Sequence, residues 1–132
     1  MMEKTKEERV EFWMMRSRST LNEIETLLDE EFLHTSASRI YYASFYAVRA
    51  LLISNETETK THAGTRSLFS KHFIKPEIIA RDFYKFYSEI FDYRHEVDYD
   101  EVMDLDLEKI KSLFAEASLL HSEIAKLLAE KK

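Results

Sequence analysis

Apolar residues return every three or four positions along four stretches of the chain, and that spacing predicts four long helices. In the first, Val10, Met14, Ser17, Leu21, Ile24 and Leu28 share a face that Trp13 and Leu27 widen. The second is expected after His34-Thr35-Ser36, where a hydroxyl caps free backbone N–H groups, and it is expected to end near Asn55. Ala37, Tyr41, Ser44, Val48 and Leu51 line one side of it, and Tyr42, Phe45, Tyr46 and Leu52 fill the others. A helix apolar nearly all round needs neighbours on several sides, so this is the expected central element. A short helix is expected from about Ala63 to His72. Pro76 suits the first turn of the next helix, which Ile79, Phe83, Phe86 and Ile90 continue. The segment 91–100, FDYRHEVDYD, is expected to close that helix and open a loop. The last helix starts around Asp104 or Asp106, whose carboxylates suit a positive helix N-terminus. Its core face runs through Ile110, Leu113, Ala117, Leu120, Ile124 and Leu127, and Lys131 and Lys132 suit its negative end. The expected fold is all-α: an antiparallel four-helix bundle with an additional short helix, as one domain over residues 1–132.

Composition narrows the function classes. Hydrophobic residues make up 45% and charged residues 33%, a globular balance. One glycine and one proline are too few for the turns of an all-β or dinucleotide-binding fold. With no cysteine, disulfides and thiolate metal sites are excluded. MMEKTKEERVEF has no signal-peptide apolar core, and IYYASFYAV (40–48) falls far short of the roughly 20 residues of a membrane span. A soluble, cytoplasmic protein is therefore expected. The net charge of −6 argues against generic DNA binding but leaves room for a local basic pocket.

Four features could carry chemistry. The five histidines show no metal-pair spacing, so no metal or cofactor is expected. The aromatics of the second and fourth helices read first as core, although Tyr42 and Tyr46 could line a cleft. KTHAG (60–64) places Lys60 and His62 beside a hydroxyl and the single glycine at a helix start, which suits an anion. The plainer reading makes Thr61 a cap, His62 a loop contact and Gly64 a packing gap. In FDYRHEVDYD, Arg94 and Asp98 can pair four apart on a helix, either to pin its end or beside a phosphate held by the arginine fork. Spacing does not choose between these.

Three blocks in order, SASRIYYASFYAVRALL (36–52), KTHAGTRSLFSKHFI (60–74) and FDYRHEVDYD (91–100), resemble the small stand-alone branch of the HEPN-domain family. The branch is marked by a YYAxFYAxRALL helix, a KTHxG loop and an R-x-x-x-D-Y motif. The resemblance implies a helical bundle, often a homodimer with its cleft at the interface, and a minimal nucleotidyltransferase partner in a toxin–antitoxin-like pair. It places Arg94, Lys60 and His62 near a nucleotide or RNA phosphate, with Tyr42 and Tyr46 beside them, and makes Tyr99 a candidate for nucleotidylation. Active members of the family resemble metal-independent ribonucleases in which an arginine binds phosphate and a histidine four to six residues on moves protons. Here that spacing from Arg94 is not met, and Asp98-Tyr99 stands where the histidine belongs. Arg66 and His72 fit the letter of the pattern but lie on the short helix, about 120° out of line. Three readings follow: a nucleotide- or RNA-associated module, a ribonuclease in which His95 or His62 replaces the missing histidine, and a non-catalytic dimerisation or partner-binding domain.

Overall fold

The computed structural model describes residues 3–100 and 104–131, so Met1, Met2 and Lys132 of the expected domain lie outside the described residues. Five α-helices and no strand are present among them: α1 (Lys6–Asp29), α2 (Leu33–Ser54), α3 (His62–Phe69), α4 (Arg81–Tyr99) and α5 (Leu107–Glu130). The all-α bundle of four long helices and one short one is thus observed. A π-helical turn, Ser70–Ile74, extends α3. Its wider ring, closed by the Lys75 N–H on the Ser70 carbonyl, lets Phe69, Phe73 and Ile74 all reach the core.

Thr5 and Glu8 start α1 with a reciprocal capping box. The helix buries Leu21, Ile24 and Leu28, and with them the polar Ser17 and Thr20. It ends in a Schellman motif, in which the Phe32 N–H bonds the Leu27 carbonyl and the Glu31 N–H bonds the Leu28 carbonyl. The reversal is so tight that α2 begins at Leu33, earlier than the polar run suggests. Ser36 is therefore not a cap; it lies buried inside the first turn with its hydroxyl donating to the Phe32 carbonyl. A three-residue connection folds α2 back along α1. Helix α2 packs against α1, α3, α4 and α5, the central role its all-round apolarity requires. Ile40, Tyr41, Ala47, Val48 and Leu51 along it have no exposed surface.

Pro76 does not open α4. The N–H groups of Ile78 and Ile79 return to the Phe73 carbonyl and Glu77 turns left-handed, so the chain leaves the π turn before a new helix can begin at Arg81. Ile79 still reaches the core, from the connection. FDYRHEVDYD closes the helix as expected, but only at its end: α4 continues to Tyr99, with Asp100 extended, because Tyr93 and Val97 bury one side while Arg94 and Asp98 pair on another. Asp106, as expected, caps α5, its carboxylate accepting from the Glu108 N–H. No helix among the described residues is long and apolar enough to cross a membrane.

Candidate functional site

Helix α2 supplies the floor of the site. Tyr41 and Phe45, four apart, present stacked rings to one side, with Tyr42 beside them. The imidazole of His62, the first residue of α3, lies on the Phe45 ring at a centroid distance of 4.4 Å. Thr61 fixes that position by capping α3, its hydroxyl accepting from the Gly64 N–H at 2.9 Å. A Cβ on Gly64 would lie 2.5 Å from the same Thr61 oxygen and under 3 Å from Thr59, so only glycine keeps both cap and loop in place.

Arg94 enters from α4. Its guanidinium lies over the Tyr41 ring at 4.8 Å and the Tyr42 ring at 5.6 Å, and Nη1 reaches the Tyr42 hydroxyl at 3.5 Å and the Asp98 carboxylate at 3.3 Å. The Arg94 side chain is only 15% exposed, and its Nε is buried with no hydrogen-bond partner. A cation held on two rings has little rotamer freedom left to lose on binding, and an anion would meet the small exposed part of the guanidinium rather than the buried Nε.

The Tyr41 hydroxyl and His62 Nδ1 are 2.6 Å apart. Burial pushes Tyr41 up to about 12, against the pull of Arg94. Burial, and after it the positive charges of Arg94, His95 and Arg49, hold His62 below its ordinary value. Both groups are therefore neutral near pH 7. The fully buried Tyr87 hydroxyl makes no hydrogen bond of normal geometry, and its polar neighbour is the Tyr41 hydroxyl. Within the Tyr41–His62 contact either group can donate, the tyrosine O–H to a bare Nδ1 or an Nδ1–H to the tyrosine oxygen, according to the tautomer of the imidazole.

The other sequence candidates are placed less centrally. His95 and Tyr99 are exposed on the outer face of α4, their rings parallel at 6.3 Å. Tyr46 lies one turn along α2 from Tyr42, buried, with its hydroxyl accepting from Arg16. Lys60 is exposed, and its charge helps hold the Glu58 carboxyl down. Arg66 lies over Phe91 and pairs with Asp92. No three potential metal ligands converge among the described residues.

Two features had no counterpart in the sequence reading. The partnership of Tyr41 with His62 joins a core residue to a loop, and its available signal was the i, i+4 spacing of Tyr41 and Phe45 ahead of KTHAG. The second is a groove of about 930 Å³ between α1 and α5, lined by Val10, Met14, Met15, Arg18, Ala125 and Leu128 among others. His121 lies at it, 5% exposed, with Nδ1 2.8 Å from the Ser17 hydroxyl. Because Ser17 spends its hydrogen on the Ala43 carbonyl, His121 Nδ1 is the donor. Burial and the nearby Arg18 charge lower its pKa.

The HEPN-domain family model matches residues 10–128. The chain belongs to the HEPN family. It is 34% identical over 127 residues to the UPF0332 protein of Thermotoga maritima, covering 96% of each chain. It is 31% identical over 116 residues to "Putative toxin MJ0142" of Methanocaldococcus jannaschii, across 88% of this chain and 79% of that protein. "Putative toxin MJ0605" of the same organism is 25% identical over 114 residues, across 86% of this chain and 84% of that protein. Within this HEPN chain, the side chain four residues after Arg94 is an ion-pair partner of the arginine, while the histidine beside the guanidinium comes from α3.

Proposed function

We propose that this HEPN chain is the phosphate-binding, nucleotide- or RNA-directed member of a toxin–antitoxin-like pair, acting as a homodimer with a minimal nucleotidyltransferase. The observation that carries the reading is Arg94, mounted on Tyr41 and Tyr42 with neutral His62 beside it. A fixed guanidinium suits a phosphate's oxygens, and the neutral imidazole beside it adds a donor or an acceptor according to its tautomer. The relatives bearing "Putative toxin" in their names support the pair. Tyr99, 83% exposed on the same helix as Arg94, is the tyrosine the partner would nucleotidylate.

The test is Arg94→Ala against wild type, with fluorescence anisotropy of a short labelled RNA and a melting curve as a check on folding. A charge-assisted contact contributes about 1.5–3 kcal/mol, so the variant should bind roughly ten- to a hundredfold more weakly. Equal binding by a folded variant removes the reading. A second reading rests on the same His62: in the tautomer that carries its hydrogen on Nδ1, the neutral ring takes a ribose proton at Nε2, making the chain a ribonuclease. RNA cleavage in EDTA by wild type but not by Arg94→Ala would select it, with His62 and His95 the next substitutions.

A further inference from the structure

The rings that hold Arg94 do not stop at Tyr42. Tyr42 leads to Tyr46 at 6.0 Å, Tyr46 to Trp13 at 5.5 Å, and Trp13 edge-on to Phe12 at 5.1 Å, so the chain of rings crosses from α2 to α1. Each step carries a cation. Arg94 lies over Tyr42, Arg16 over Tyr46 at 4.9 Å, Arg49 over Trp13 at 4.7 Å and Lys4 over Phe12 at 4.1 Å. On a chain of net charge −6, four ring-mounted cations stand in file, two of them, Arg94 and Arg49, paired with Asp98 and Glu58, and two, Arg16 and Lys4, with no ion pair among the described residues.

The four differ in how open they are. Arg16 is exposed, donates one N–H to the Tyr46 hydroxyl at 3.2 Å, and has no carboxylate partner among the described residues. Arg49, 18% exposed, shares Glu58 with Arg9, so a phosphate reaching it would compete with that carboxylate. Arg49 and Arg94 both act on His62, so the file runs past the phosphate-binding cluster itself. Phe12, 37% exposed at the far end, offers a ring to an unstacked base.

We infer that the α1–α2 seam is a track for single-stranded RNA, in which Arg16, Arg49 and Lys4 take successive backbone phosphates leading away from Arg94 and Phe12 stacks a base. The inference rests on the phosphate-binding reading of Arg94. RNA fits better than an acidic peptide because cations recur at every ring of the file, as phosphates recur along a strand, and aromatic surface accompanies them. The seam covers about 10 Å between Tyr42 and Arg49 at 1.5 Å per helical residue, room for more than one phosphate.

The experiment uses fluorescein-labelled oligouridylates of about four and about twelve nucleotides, within the range of single-strand sites. Anisotropy is read across a salt series for wild type, Arg16→Ala, Lys4→Ala and Arg94→Ala, with sedimentation to report mass. Wild type should bind the longer strand more tightly. Arg16→Ala should weaken the longer strand about tenfold and reduce its salt slope by about one, with the shorter strand unchanged. Lys4→Ala should act in the same sense, and Arg94→Ala should weaken both strands. If Arg16→Ala and Lys4→Ala bind the longer strand like wild type while Arg94→Ala loses the shorter one, the track is overturned and the Arg94 site survives. If the wild type binds neither strand, both fall. A dimer that dissociates in Arg16→Ala with long-strand affinity unchanged would assign the seam to a second copy and overturn the track.

Discussion

At the scale of single residues, the competition for Arg94 is the informative contact. Its guanidinium has two rings beneath it and a carboxylate at 3.3 Å, and an incoming phosphate must share the fork with Asp98. The Asp98 side chain is 41% exposed, so the pair is screened and its worth to the fold is only about half a kcal/mol. Asp98→Asn should therefore leave the melting temperature within a degree or two and tighten binding of a short labelled RNA severalfold, because the site gains a positive charge. Unchanged or weaker binding by the variant would show that Asp98 does more than neutralise the arginine. The i, i+4 relation made this pair legible from sequence. The ring mounting was not, since Tyr41 and Tyr42 lie 53 and 52 residues earlier and read locally as core.

Among the elements, helix ends separate what the sequence discloses from what it hides. Interiors were legible because apolar spacing is a local property: Leu21, Ile24 and Leu28 in α1 and Ile110, Leu113 and Ala117 in α5 are buried as that spacing requires. The ends of α1 and α2, and the exit from the π turn, are Schellman motifs whose left-handed position holds Glu31, Glu56 or Glu77, at φ 58°, 58° and 63°. Glycine is the usual marker there, and the single glycine is spent inside α3 on the Thr61 cap. Without that marker, the start of α2 and the connection holding Pro76 were misplaced. A left-handed non-glycine residue costs about 1–2 kcal/mol, part of which is offset by the extra unfolded-state freedom of glycine. Glu77→Gly, at an exposed position, should thus raise stability by about 0.5–1 kcal/mol in a urea titration. A loss would mean that the Glu77 side chain stabilises the turn by more than its strain.

For the whole molecule, acid is the condition that should loosen the bundle, and two histidines set where. His62 joins α2 to α3 and sits beside α4, while His121 ties α5 to α1 through Ser17 and lies near the Ala43 carbonyl of α2. Between them they bridge the α2–α3 and α1–α5 seams. Both pKa values are lowered, by burial first, then by Arg94, His95 and Arg49 for His62 and by Arg18 for His121. In the unfolded chain each takes up a proton near pH 6.5. The folded chain resists until lower pH, so between those values the unfolded state binds more protons and stability rises with pH. Their contribution is complete above about pH 6.5 and is lost as pH falls through the lowered folded values. Glu8 and Glu58, also lowered, add their loss only below the usual carboxylate range near 4.5, well separated from the histidines. The urea midpoint should consequently fall between pH 6.5 and 5 in wild type. Substituting His62→Gln and His121→Gln should lower stability at pH 7.5 but flatten that slope, each variant removing part of it. A wild-type midpoint level across that range would show that neither ring must shed its proton to fold. If bound phosphate draws a proton onto His62, adding a short RNA should flatten the wild-type slope while leaving that of His62→Gln as it was.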